Sequence, residues 1–156
     1  VLAREIVRGF DRQLAEAAYL AGLLHDVGKP LLAALLVAAE QRLRGQRTTG
    51  WLSAQKWLGF ILAKHRAVGM ALARQWGLPE AIGRSICDGV EYDTADPRSL
   101  TNAVRLANTL TKLAGLYVGD FDPEEVKAAA FVGQQLFDLD QAAEQVVQPG
   151  RVMDDE

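Results

Sequence analysis

Leu20-Ala21-Gly22-Leu23-Leu24-His25-Asp26-Val27-Gly28-Lys29 sets an imidazole and a carboxylate side by side at the end of an apolar helical stretch. A glycine and a lysine follow at once. A helix that serves only as core has little use for such groups in its last turn, whereas a site for a metal or a phosphate needs them. The plainer reading of His25 and Asp26 is a buried imidazole bonded to a carboxylate or carbonyl near a helix end. Lys29 also has two readings. It can hold a phosphate, or it can sit at a helix C-terminus because the dipole favours cations there.

Outward from this stretch the periodicity is helical. Leu14, Ala17, Ala18, Ala21 and Leu24 recur at helical spacing, as do Leu100, Ala103, Val104, Ala107, Leu110, Ala114 and Tyr117. No segment sustains an apolar/polar alternation, and no hairpin signal separates such segments. The pattern predicts an all-α fold.

The punctuation divides that pattern into elements. Asp11 is expected to cap a helix running to about Val27, and Pro30 to open the next. Gln41 to Gly50, with Arg42, Arg44 and Arg47, reads as a helix end and a solvated loop. Gly77 followed by Pro79 reads as a stop and a start. Asp96-Pro97 and Asp122-Pro123-Glu124-Glu125 each read as an N-cap with a proline in the first turn. Asp138 with Gln141 offers a start for a last helix, ended by Pro149-Gly150. The expected organisation is one domain over residues 1–150 and a frayed tail over 151–156.

With 156 residues and a net charge of -3, the chain suits one domain with a real core and gives no reason to expect a polyanionic partner. A single cysteine, Cys87, allows no internal disulfide, so a reducing, cytoplasmic setting is expected. Cys87 reads as a small buried hydrophobe. Trp51, Trp57 and Trp76 read as core and edge packing. The longest strongly apolar run, Leu31 to Ala39, is too short to cross a bilayer, and Arg4 and Arg8 lie within an amphipathic stretch unlike a signal peptide. No membrane association is expected. Val1–Val7 begins as if inside a helix, and Leu2, Ile6 and Val7 are candidates for contact with a second copy.

Three runs together resemble a known family. Ala18 to Lys29 resembles the signature of the HD superfamily of metal-dependent phosphohydrolases. His65-Arg66-Ala67-Val68-Gly69, continuing to Trp76-Gly77-Leu78-Pro79-Glu80-Ala81-Ile82, is similar to the "HxxVGxxLxxxWxLPxxI" segment of the HDOD domain, the HD-related output domain of bacterial signalling proteins. Leu106-Ala107-Asn108-Thr109-Leu110 stands where the family has its "LADxLA" helix. The resemblance implies an HD-like helical bundle, the C-terminal HD-like part of an HDOD module, incomplete at its N-terminus.

The resemblance also implies a site, and the site is short of ligands. His25 and Asp26, with His65, stand at metal-ligand positions, and Lys29 at a phosphate-binding one. Only two histidines exist, His25 and His65, and none precedes His25. Asn108 stands where an active enzyme has its closing Asp, and an amide brings no charge to offset a divalent ion. Whether Asp88 or Asp93 substitutes is open at this point, and the acidic group Asp88, Glu91, Asp93 and Asp96 reads as a solvated loop with one N-cap. The expectation is a vestigial metal site over His25, Asp26, His65 and Asn108, no catalysis, no cofactor, and a bacterial regulatory scaffold that binds a ligand or other signalling domains, a homodimer included. The alternative is a phosphohydrolase acting on a nucleotide or cyclic dinucleotide, with His25, Asp26 and Lys29 in catalysis and Mn, Fe, Zn or Ni as metal.

Overall fold

The computed structural model describes residues 1–44, 53–87, 91–117 and 121–139. Among these residues the chain is all-helical: α1 (Leu2–Arg8), α2 (Ala15–Leu24), α3 (Gly28–Arg44), α4 (Ala54–Gln75), α5 (Glu80–Cys87), α6 (Leu100–Leu113) and α7 (Pro123–Leu136). Arg47, Trp51, Asp88, the last helix expected from Gln141, its Pro149-Gly150 stop and the tail 151–156 lie outside the described residues, as do the side chains of Arg44 and Cys87.

The bundle is built around α6. Its inward face, Leu100, Ala103, Val104, Leu106, Ala107 and Leu110, is buried, as the periodicity predicts. Against it pack α1, α2, α5 and α7. The face that α2 turns inward is Ala15, Ala18 and Ala21. Alanines keep that helix close to its neighbours: a Cβ on Gly22 would sit 3.3 Å from the Ala3 Cβ. Ile6 and Val7, expected to be exposed to a second copy, are buried in this core, while Leu2 is half-buried.

Most helix boundaries follow local chemistry. Asp122 caps α7 by accepting from the backbone N–H groups of Glu124 and Glu125, with Pro123 in the first turn. Gly77, at φ +64°, ends α4 in a left-handed conformation, with Gly77 N–H donating to the Arg74 carbonyl and Leu78 N–H to that of Ala73. Gly115, at φ +72°, closes α6 the same way, a stop that the sequence reading passed over.

Two boundaries differ from expectation. Asp11 caps the turn ahead of α2, accepting from Gln13 and Leu14 N–H groups, and α2 ends at Leu24 because His25–Val27 form a turn. Asp96 does not cap α6; Ser99 does, accepting from Asn102 N–H. The reason is Asn102, which is 0% exposed. Its amide accepts from Asp93 N–H and donates to the carbonyls of Asp93, Asp96 and Pro97, holding residues 93–97 as a loop. Asp93 is exposed, and its carboxylate accepts from the Ala95 and Asp96 N–H groups of its own turn.

The His25–Val27 turn also divides an apolar stretch, Ala15–Leu43, that by length and composition is long enough to cross a membrane, contrary to the shorter run read from the sequence. In this fold its first half packs against α1, α5 and α6. Its second half, α3, packs chiefly on α4, forming a two-helix arm. Leu35, Val37, Leu58, Phe60 and Leu62 are exposed along that arm, and Trp76 is exposed at the end of α4.

The root of the arm fixes the site. Two motif glycines meet there. A Cβ on Gly28 would lie 2.7 Å from the His65 carbonyl carbon and 3.0 Å from Gly69 N. A Cβ on Gly69 would lie 2.7 Å from Ile86 Cγ2. The start of α3 therefore touches α4 backbone to backbone, which only glycine permits.

Candidate functional site

His25, Asp26, Lys29, His65 and Asn108 all line one cavity of about 270 Å³. The turn after α2 supplies His25 and Asp26, the first turn of α3 supplies Lys29, and the middle of α4 supplies His65. Asn108 comes from α6, which forms the opposite wall. Thus the three motif runs, far apart in sequence, converge on one space.

The two imidazoles are held alike. His25 Nδ1 lies 2.8 Å from the Gly22 carbonyl oxygen. His65 Nδ1 lies 2.9 Å from that of Leu62 and 3.1 Å from that of Ile61. A carbonyl can only accept, so each Nδ1 carries the proton, and in the neutral ring each Nε2 carries a lone pair. Both Nε2 atoms face the same carboxylate: His25 Nε2 is 3.4 Å from Asp26 Oδ2, and His65 Nε2 is 3.6 Å from Asp26 Oδ1. His65 is buried, at 7% exposed.

Asp26 already has a cation. Lys29 Nζ donates to Asp26 Oδ2 at 2.5 Å. Lys29 stands in the first turn of α3, not at a helix C-terminus, and lines the cavity. A charge-assisted hydrogen bond of this kind is worth roughly 1.5–3 kcal/mol when partly shielded from water.

The rest of the lining escaped the sequence reading. Arg66, Arg105 and Lys112 face the cavity, with Ser85, Thr101 and Tyr117. Arg105 also stacks over the Tyr92 ring at 4.7 Å, and Lys112 over the Tyr117 ring at 4.8 Å. Burial pulls the Lys112 ammonium below the usual lysine range, and the charge of Lys29 adds to that, against a partial offset from Asp26 and Glu125. Thr101, Arg105, Asn108 and Lys112 lie three or four residues apart, on one face of α6, so the signal was present: any residue sharing Asn108's face had to share its cavity.

A divalent metal is what the HD motif brings to mind, and the donor set can be tested against it. Among the described residues no group of three or more His, Cys, Asp or Glu side chains is arranged to hold an ion. Among the described residues the cavity lining brings one carboxylate, which Lys29 occupies, and four cationic side chains. Those described residues do not fit a divalent cation.

The model of the HDOD domain family matches residues 1–89. The chain belongs to the HDOD family. No protein of curated function matches it significantly, and no solved structure does. HDOD domains are HD-related signalling and regulatory modules, and the all-helical bundle seen here is the architecture expected of one. The HDOD match spans α1 to α5 and so contains His25, Asp26, Lys29, His65 and Arg66. The wall carried by α6, with Arg105, Asn108 and Lys112, lies beyond it.

Proposed function

We propose that this HDOD chain is a non-catalytic regulatory module of a bacterial, cytoplasmic signalling protein, working as a helical scaffold whose vestigial metal cavity receives a ligand or answers to a partner domain. The observation that carries this reading is the state of Asp26. Among the described residues it is the sole carboxylate lining the cavity, and Lys29 neutralises it. A divalent ion entering there would have to displace an ammonium from its own salt bridge while facing Arg66, Arg105 and Lys112. Asn108, in place of a second acidic ligand, returns none of that cost.

A second reading, a metal-dependent phosphohydrolase acting on a nucleotide or cyclic dinucleotide, has one observation in its favour. Metal-binding histidines commonly donate the far ring N–H to a carbonyl, and both His25 and His65 are held in that way. In that case His25, Asp26 and His65 would hold Mn, Fe, Zn or Ni, which would supply an activated water, and Lys29 would hold the phosphate.

Metal analysis of the purified protein, paired with a phosphodiesterase assay in added Mn, separates the two. The regulatory reading expects no stoichiometric metal and no turnover. A stoichiometric ion lost on His25→Ala, together with hydrolysis, refutes it.

A further inference from the structure

We infer that the α3–α4 arm is a docking surface for a negatively charged lipid bilayer, on which the arm lies flat instead of crossing. This goes beyond the regulatory reading and does not depend on the cavity.

The charge of the chain is sharply divided. Between Gly28 and Gln75 the sequence places eight Lys and Arg against one acid, Glu40; the remaining residues hold nine against nineteen. A chain of net charge -3 thus carries its positive charge in the arm, and its field turns that end toward an anionic surface. Two of the arm's cations, Lys29 and Arg66, line the cavity. Arg42, Lys56, Lys64 and Arg74 stand exposed on the outside of the arm.

The apolar surface of the arm exceeds its protein cover. Among the described residues α3 packs chiefly on α4, yet from Pro30 to Ala39 it carries no polar side chain. A helix with one side in water is ordinarily polar there, and a helix apolar all round is buried or meets lipid. Leu35 and Val37 stand two residues apart, as do Leu58 and Phe60, which is about 200° around a helix of 3.6 residues per turn. All four are exposed. Each helix therefore shows apolar groups on opposite sides. A protein partner closes one side, whereas a lipid surface yields around what sinks into it. Pairing with the arm of a second copy would also bring like charges together.

The fold decides between lying and crossing. Ala15–Leu43 is long and apolar enough to cross a membrane, but the His25–Val27 turn divides it, and Lys29 is bound to Asp26 there. Crossing would carry that ion pair into hydrocarbon and strip α2 from α1, α5 and α6. Lying flat requires neither. Apolar side chains of such helices enter the acyl boundary to a depth of about 5–10 Å. The stems of Lys56 and Lys64 can follow the apolar surface while their ammonium groups reach lipid phosphates. Trp76, exposed at the end of α4, is of the residue type enriched at membrane–water interfaces.

The test is co-sedimentation of the full chain with vesicles of phosphatidylcholine alone, and of phosphatidylcholine and phosphatidylglycerol in equal parts, across a sodium chloride series. Saturable binding to the mixed vesicles, weakened by salt and absent from the neutral ones, is expected. Lys56→Gln and Lys64→Gln should each weaken it about fivefold, as loss of one cation near an anionic surface does. Leu35→Glu should abolish it. Arg12→Gln, exposed and outside the arm, should leave it unchanged. Far-UV circular dichroism confirms that each variant is folded. No binding to the mixed vesicles, equal binding to the neutral ones, or full binding by Leu35→Glu overturns the lipid surface. So does a lipid-free dimer, seen by light scattering, that Leu35→Glu dissolves, because a second copy would then cover the face. None of these outcomes alters the metal and phosphodiesterase assays that decide the regulatory reading.

Discussion

Gly28→Ala is the sharpest perturbation this structure offers, because it adds one methyl group where two helices touch through their backbones. The new Cβ would overlap the His65 carbonyl oxygen and lie 2.7 Å from its carbon, against an ordinary contact that begins near 3.4 Å. No side chain can rotate away, since the obstacle is main chain. The start of α3 must retreat from α4, drawing Asp26 and Lys29 from His65. Overpacking of this kind costs about 1–3 kcal/mol, and the backbone obstacle places it at the upper end. In a domain of this size that is a fall of roughly 6–12 °C in melting temperature for a 3 kcal/mol loss. Gly59→Ala is the matched control. It lies inside α4 with nothing within 4 Å of a new Cβ. It should stabilise the fold by about 0.5–1 kcal/mol, the usual gain for alanine over glycine in a helix. Thermal melts of both variants give the answer. A Gly28→Ala protein that melts with the wild type would show that the close crossing does not exist.

Asn102→Ala should cost about 1–3 kcal/mol in urea unfolding, because the Asp93 N–H and the Asp93, Asp96 and Pro97 carbonyls lose their shared partner; an unchanged midpoint would show the loop stands without it. Asp122→Ala should cost about 1 kcal/mol through the lost cap of α7, and Asp122→Asn should restore most of it. Burial raises the Tyr92 phenol above its ordinary 10.0, outweighing the nearby Thr109 hydroxyl and Arg105 guanidinium. The folded chain therefore keeps a proton that the unfolded chain sheds, so the stability this phenol contributes is full below about pH 10 and falls as pH rises further. Tyr92→Phe should flatten that alkaline limb, and parallel melting curves for the two proteins above pH 10 would contradict the assignment.

Asp122-Pro123 and Gly77-Leu78-Pro79 were legible because their chemistry is complete within a few residues. Asp96-Pro97 carries the same local signal as Asp122-Pro123 and misleads, because the Asn102 amide, arriving from within α6, claims the Asp96 and Pro97 carbonyls and leaves the cap to Ser99. The motif residues His25, Asp26, Lys29, His65 and Asn108 could be assigned to one cavity since their ordered runs imply a shared site. Arg105 and Lys112 could be found only through the α6 face they share with the motif residue Asn108. Arg66 could not be found by motif, since its place depends on which way α4 turns in the bundle, and that is fixed by packing at Gly69. Ile6 and Val7 misled for the opposite reason: an uncapped first helix reads as an exposed edge, while α6 covers it.

The glycine crossing at the foot of the α3–α4 arm has a mechanical consequence. Side chains between helices act as a compliant layer that lets them slide; bare backbones in contact transmit displacement directly. The 17 residues of α3 make a rod of about 25 Å, pinned near one end. A push at the distant tip thus reaches the His65 carbonyl as a tilt about a fulcrum, with Lys29 riding on the short side of the beam.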